Sequence, residues 1–337
     1  MEKKNNIKSA SRLDYMDIAK GIAILAVIVG HVYAPPTVIG KVIFSFHMPL
    51  FFVVSGYFIK DYSIKKNFIS SCRGLLIPYV IGTLIEMVAE LCMPNGHGFV
   101  GVRQLFLDLI GGMCKDSYLF PIFNGTWMLW FLPSLFVARI LFVLIMHFTE
   151  KLNHGWAIRM VSFSVLSAIG MLACVYGHLP WGLEIALVTL AFLYCGNLLN
   201  KHALFANKFR FLIAGICLLI WVVLLCFGFY IELAVHYWPG FYLALLEGMI
   251  ASFTVIIFSQ LLDKVRFVNN AFKWMGKNSL IILLIHNFDM RYVTWGKIIS
   301  NDIIILLCRV SFTLCVTGII SLLLYCLKRK KQKRFCV

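Results

Sequence analysis

The sequence predicts an all-α, polytopic integral membrane protein with about ten transmembrane helices and both termini in the cytoplasm. Hydrophobic residues make up 61% of the 337 residues and charged residues only 14%, and the mean hydropathy is +0.87. The apolar residues come in runs of about 18 or more, the length that a helix needs to cross the hydrocarbon core. The basic residues gather in alternate loops, as in membrane proteins of fixed orientation.

Ten apolar segments account for most of the chain, and most loops between them are short. The first segment is too long for the core of a signal peptide, so we expect a retained first span. Residues 1–14 and 328–337 are predicted to be a cytoplasmic N-terminal segment and a basic cytoplasmic tail, on either side of one transmembrane domain, 15–327. The predicted spans are 15–33, 42–60, 68–92, 126–148, 158–177, 183–200, 211–230, 241–261, 278–294 and 302–327.

The distribution of lysine and arginine sets the predicted orientation. These residues are frequent in the loops after the second, sixth and eighth spans and in the C-terminal tail, whereas the loops 178–182 and 231–240 have none. Basic loops stay on the cytoplasmic side, so we expect an even number of spans in the cell (plasma or inner) membrane. The net charge of +16 is explained by this topology, and no nucleic-acid partner is predicted.

The first span carries a stripe of polar residues. Lys20 and His31 are eleven residues apart, which is roughly 16 Å of helix and close to three whole turns, so both lie on one face. Asp17 lies one turn before Lys20 on nearly the same face. An imidazole at this depth can act as a general base near neutral pH. The alternative is that Asp17 and Lys20 are interfacial anchors and that His31 is a polar group reaching outward.

The second span places another histidine, His47, at a depth similar to that of His31. It lies in the segment FSFHMPLFFVVSGYF, where Pro49 opens the helix locally. Two histidines on adjacent helices at one depth favour a site, although a hydrogen-bonded structural histidine is the alternative. No metal is expected at this site, because no carboxylate or third histidine stands at a fitting spacing.

These segments resemble the acyltransferase 3 family, most closely its branch of fucose 4-O-acetylases and intercellular-adhesin O-succinyltransferases. The family carries a basic residue and a histidine in its first span, which Lys20 and His31 match. Its basic third span leading into Pro-Tyr is similar to SSCRGLLIPY, which contains Arg73. Its later motifs are similar to WMLWFLPSLF, which contains Trp130, and to MGKNSLIILLIHNF, which contains His286. The resemblance covers essentially the whole chain.

The resemblance implies an acyl transfer across the membrane. Acyl-CoA, with acetyl-CoA the expected donor, would bind from the cytoplasm with its phosphates held by Lys20 and Arg73. The acyl group would reach His31 and pass to a sugar hydroxyl at the outer face, either directly or through an acyl-enzyme. Asp17 would orient Lys20 or a substrate group, and His47 would bind the acceptor or assist proton transfer. The implied partners are a sugar or polysaccharide acceptor, the lipid bilayer and polysaccharide-synthesis machinery.

Four further residues are candidates for binding the substrate. Charges at bilayer depth usually face the bundle interior, so Glu86 and Glu247 are predicted to line a polar cavity. His286 is expected to reach the same cavity, with a capping role as the alternative. Trp130 is assigned to substrate binding, with an aromatic belt as the alternative.

A different class of function is also compatible with the composition. Ten spans with buried charges suit a transporter or flippase for a polysaccharide or a lipid-linked sugar. Transporters often consist of two related halves with broken helices, and this sequence shows no such symmetry. A third interpretation is that the protein is a non-catalytic membrane partner of a polymer synthase. Acceptor-dependent release of free coenzyme A would separate the enzyme from both.

Overall fold

The computed structural model describes residues 13–112, 114–125 and 129–334, with side chains up to Arg329. The described residues form an all-helical protein without a β-strand, apart from one isolated bridge between Glu232 and Tyr237. The helices are α1 (Asp14–Gly30), α2 (Val38–Phe58), α3 (Ile64–Ser71), α4 (Ile77–Cys92), α5 (Gly98–Gly111), α6 (Phe131–Thr149), α7 (Gly155–Ala173), α8 (Leu183–Lys201), α9 (Arg210–Cys226), α10 (Tyr242–Leu262), α11 (Arg266–Lys277), α12 (Ser279–Tyr292) and α13 (Asp302–Arg334).

Every segment predicted as a span contains a helix. Within the described residues, seven helices are long and apolar enough to cross a membrane, counting α3 and α4 as one, with α2, α6, α7, α8, α10 and α13. The helices α1 and α9 have 17 residues each and α12 has 14, which is at or below the shorter limit for a span. The count of ten, the orientation of the termini and the domain limits therefore stay predictions.

The helices give the bundle two distinct ends. The basic end is where α1 begins and where the loops that follow α2, α8 and α10 lie, and the opposite end carries the loops 31–37 and 227–241. Lys60, Lys201 and Lys264 all belong to the basic end. The core is centred on α1, α2 and α8, whereas α13 lies at the edge with only 11% of its apolar stretch buried.

The segment after the eighth predicted span, expected to be a basic loop, forms the helix α11. Its pattern places apolar residues on one face, and that face packs closely along α1. Gly21 and Gly276 allow the contact, because a Cβ on either glycine would meet the backbone of the other helix. Lys273 Nζ also contacts Asp14 Oδ2 at 2.6 Å. The start of α1 is therefore held by a partner helix.

Replacing Gly276 with valine is expected to destabilise the protein by about 1–3 kcal/mol, the usual effect of overpacking. The added side chain would meet the main-chain carbonyl of Asp17, which cannot move without shifting α1. Denaturant unfolding in detergent measures the change. Gly215→Val is the matched control, because no atom lies within 4 Å of a Cβ built there. Equal stability of the two variants would contradict the close packing of α1 on α11.

A wide helical turn joins α3 to α4. Residues Cys72–Leu76 form a π-helix, a feature that often marks functional positions. Pro78 follows it and has no N–H to donate, so the regular series of main-chain hydrogen bonds is also interrupted at that residue. On the neighbouring α6, Arg139 donates to Ser55 Oγ at 2.7 Å and to Ser71 Oγ at 3.0 Å. These bonds tie α2, α3 and α6 together beside the turn that presents Arg73.

Candidate active site

Three histidines from three helices surround one cavity in the half of the bundle near the opposite end. We call it the histidine cavity; its volume is about 350 Å³. His31 follows the last residue of α1, His47 lies in α2 and His286 lies in α12. Trp130, directly before α6, also lines it. The structure thus brings together four of the residues predicted from the sequence.

His31 and His286 form a pair inside this cavity. Their ring centroids are 5.3 Å apart, with the planes tilted by 41°. The His31 side chain is accessible from the cavity, whereas His286 is 2% exposed. Neither ring nitrogen of His286 has a hydrogen-bond partner among the described residues. An unpaired buried polar group is costly, so both ring nitrogens of His286 are available to a molecule bound in the cavity.

His47 differs from the other two because the fold fixes its ring. Its Nδ1 lies 2.8 Å from the carbonyl oxygen of Ile43, so Nδ1 carries a proton and donates it. Nε2 is then left as a hydrogen-bond acceptor. The edge-on contact with the Phe44 ring, with centroids 4.8 Å apart, holds the imidazole in this orientation. His47 can therefore accept a proton or a hydrogen bond from a hydroxyl.

A second, smaller cavity lies next to the histidine cavity on the side of the basic end. This apolar cavity has a volume of about 160 Å³. The two cavities share the side chains of Val27, Met48, Phe131 and Leu283. The apolar cavity also reaches Gly74, which lines a basic opening at the surface together with Lys66, Ser70 and Arg73.

The order of lining residues shows that the three spaces follow one another along the bundle. On α1, Ile24 lines the apolar cavity and His31 the histidine cavity. On α12, Ser279 lines the apolar cavity and Asn287 the histidine cavity. Ile24 and His31 are seven residues apart, about 10 Å along a helix. The basic opening, the apolar cavity and the histidine cavity therefore lie in a row along the bundle.

Lys20 and Arg73 do not line a common pocket. Arg73 is exposed at the basic opening, whereas Lys20 Nζ contacts Asp17 Oδ1 at 2.8 Å on α1. Asp17 is 3% exposed, and its main-chain carbonyl lies against Gly276 of α11. Lys66 is the basic residue that the structure places beside Arg73, and it pairs with exposed Asp61 at 2.9 Å.

Residues 13–326 match the acyltransferase 3 family, which is described as an acyltransferase domain. The chain belongs to this family. The protein is therefore a membrane enzyme that transfers acyl groups other than aminoacyl groups. No curated protein and no solved structure matches the chain.

The two membrane glutamates of the acyltransferase have different positions. Glu86 lies behind the histidine cavity and accepts a hydrogen bond from Asn287, whose side chain lines that cavity. Glu86 thus influences the site through Asn287. Glu247 is fully buried in α10 and is not part of the cavity lining, so the structure does not bring it to the predicted site. Trp127, the first residue of the segment WMLWFLPSLF, lies outside the described residues.

Glu232 lines the histidine cavity and was not singled out from the sequence. It stands in the loop between α9 and α10, and its main chain pairs with that of Tyr237 at 2.8 and 3.0 Å. Burial raises the pKa of the Glu232 carboxyl to about 7. The only sequence signal was an acidic residue in a loop without lysine or arginine, and many surface loops share that feature.

Proposed function

We propose that the acyltransferase moves a small acyl group, in the simplest case acetyl, from acyl-CoA to a sugar hydroxyl. The donor enters at the basic end from the cytoplasm, and the acceptor is a cell-surface polysaccharide or exopolysaccharide at the outer face of the plasma membrane. The similarity to fucose 4-O-acetylases and adhesin O-succinyltransferases supports a sugar acceptor. The single observation that carries the proposal is the row of cavities from Arg73 to the His31–His286 pair.

The basic opening and the apolar cavity suit the two parts of acyl-CoA. Arg73 and Lys66 provide positive charge for the phosphates at the surface. The narrow, mostly uncharged pantetheine arm would pass Gly74 and fill the apolar cavity, with the thioester beyond Leu283. Lys20 is paired with Asp17 and adds positive charge to the basic end without lining the opening.

The histidines supply acid–base chemistry at the end of this path. His31 takes the proton of the acceptor hydroxyl while the oxygen attacks the thioester carbonyl carbon. The carbon–sulfur bond breaks, the thiolate takes a proton and coenzyme A leaves, and an ester remains on the sugar. In the two-step route, His31 itself first accepts the acyl group. Nε2 of His47 is available to accept a hydrogen bond from an acceptor hydroxyl.

The proposal is tested in proteoliposomes with acetyl-CoA on the side of the basic end and a candidate sugar acceptor on the other side of the bilayer. We expect free coenzyme A to appear only when both donor and acceptor are present, and the acceptor to gain the mass of one acyl group. Mass analysis of surface glycans from cells with and without the protein identifies the acyl group and the sugar. Movement of acceptor across the bilayer without coenzyme A release would instead support the transporter or flippase.

The Glu232 carboxyl is expected to make acceptor binding depend on pH. Because its pKa is about 7, rising pH converts it from a neutral acid to a carboxylate, which accepts hydrogen bonds from sugar hydroxyls. The KM for the acceptor should therefore fall as the pH rises from about 6 to about 8, one unit on either side of that pKa. In Glu232→Gln this part of the pH dependence should be lost. An unchanged pH profile in the variant would exclude this role.

A further inference from the structure

A second group of ionisable side chains meets at the opposite end, outside the lining of the histidine cavity. His178 precedes α8, Glu184 lies in its first turn, and His236 lies in the loop between α9 and α10. Oε1 of Glu184 is 3.0 Å from Nδ1 of His178 and 3.1 Å from Nε2 of His236. The two imidazole rings lie 4.1 Å apart between centroids. None of these residues has a role in the proposed transfer.

We propose that His178, Glu184 and His236 bind a divalent transition-metal ion, with Zn²⁺ the expected ion. Their three ligand atoms lie within 4.8 Å of one another. Tetrahedral Zn²⁺ with nitrogen and oxygen ligands at about 2.0–2.1 Å requires ligand atoms roughly 3.3–3.4 Å apart. The two carboxylate contacts are within a few tenths of an ångström of that separation. Two imidazoles and one carboxylate are a common ligand set for such ions.

The ion would replace the two ring protons that now point at Glu184. Each neutral imidazole can carry its proton on either nitrogen. On binding, the proton moves to the other ring nitrogen, and Nδ1 of His178 and Nε2 of His236 direct their lone pairs to the metal. Three protein ligands leave a fourth position for water.

The backbone around the cluster holds its side chains in place, as expected for a preorganised site. Glu184 is fully buried, and its other oxygen, Oε2, accepts a hydrogen bond from the Leu179 main chain at 2.9 Å. That bond fixes the carboxylate so that Oε1 faces the histidines. His236 has a left-handed φ of 58°, which is unfavourable for a non-glycine residue and persists only where surrounding contacts hold it.

The ion would also fix one wall of the histidine cavity. The loop that carries His236 contributes Glu232 and Leu233 to the cavity lining. The main-chain pairing of Glu232 with Tyr237 joins the two sides of that loop. Metal at Glu184 would therefore anchor the loop to α8 and reduce its movement at the cavity mouth.

Metal content of the purified protein in detergent is the direct test. The protein is purified without a histidine tag, treated with a chelator, returned to Zn²⁺ and measured by mass spectrometry of metals and by competition with a chromophoric chelator. We expect one ion per chain in the parent protein. His236→Ala and Glu184→Gln should each weaken binding by about 100-fold or more, because loss of a ligand exceeds the effect of losing a supporting contact.

His202→Ala is the matched control, since His202 is an exposed histidine away from the cluster; it should bind Zn²⁺ as the parent does. Thermal unfolding gives a second measurement that does not depend on activity. Zn²⁺ should raise the melting temperature of the parent and of His202→Ala but not that of the two cluster variants. A parent protein that binds no ion, or cluster variants that bind as tightly as the parent, would overturn the proposal.

Discussion

Replacing His31 with alanine is expected to lower the rate of acyl transfer by about 10²–10⁴-fold, the usual contribution of a positioned general base. The ring faces the histidine cavity beside His286, so its loss removes the group that the proposed mechanism uses as proton acceptor. Donor binding at Arg73 should change little, because that opening lies at the other end of the row. Coenzyme A release in proteoliposomes measures the rate.

Two further variants make the result specific. His202→Ala alters an exposed histidine and should retain the parent rate. His286→Ala removes the second ring of the pair and shows which imidazole takes the proton. A folded His31→Ala protein that works at the parent rate would refute the assignment of His31, and if His286→Ala were the inactive variant, the base would be His286.

Leu283→Trp is expected to reduce transfer by about 100-fold or more and to weaken donor binding by a smaller factor. Leu283 lines both the apolar cavity and the histidine cavity, so an indole there would fill the junction through which the thioester must pass. Small displacements of a reacting group cost this much in rate. The turnover number should fall by that factor, whereas the affinity for acyl-CoA, measured by equilibrium binding, should fall less, because the proposed phosphate contacts at Arg73 and Lys66 are unchanged.

Leu323→Trp controls for the size of the new side chain. Leu323 lies on α13 with 57% of its surface exposed, so tryptophan there meets no cavity and full activity is expected. Parent-like turnover in Leu283→Trp would show that the donor reaches the histidines by another path.

The sequence predicted the helical segments well because hydrophobic length is a local property. It also placed His31 and His47 at a similar depth, since helix rise and span direction fix the depth of each residue, and it predicted that His286 reaches the same cavity. The helix α11 was missed because its 12 residues are too short and polar for a span, although apolar residues on one face are a sequence signal for an amphipathic helix.

The remaining differences involve residues that are distant in the chain. Arg309 pairs with Asp289 at 3.0 Å, a partner that spacing alone could not choose over Glu86 or Glu247. His178 and His236 meet at Glu184, although His236 and Glu184 are 52 residues apart. Glu232 lies in a loop that is distant in the chain from α1 and α12, yet it lines the same cavity as His31 and His286. Such contacts depend on tertiary packing, and no periodic pattern in the sequence predicts them.

The apolar cavity also bears on the electrical integrity of the membrane. Its lining includes Ile24, Phe51 and Leu135, and small cavities of this kind stay dry. A dewetted constriction blocks hydrated ions, yet it accepts a slender organic arm that is largely uncharged. Under the proposed function, a reactive group would therefore pass toward the opposite end without a conducting pore, and turnover would not dissipate the proton gradient of the cell.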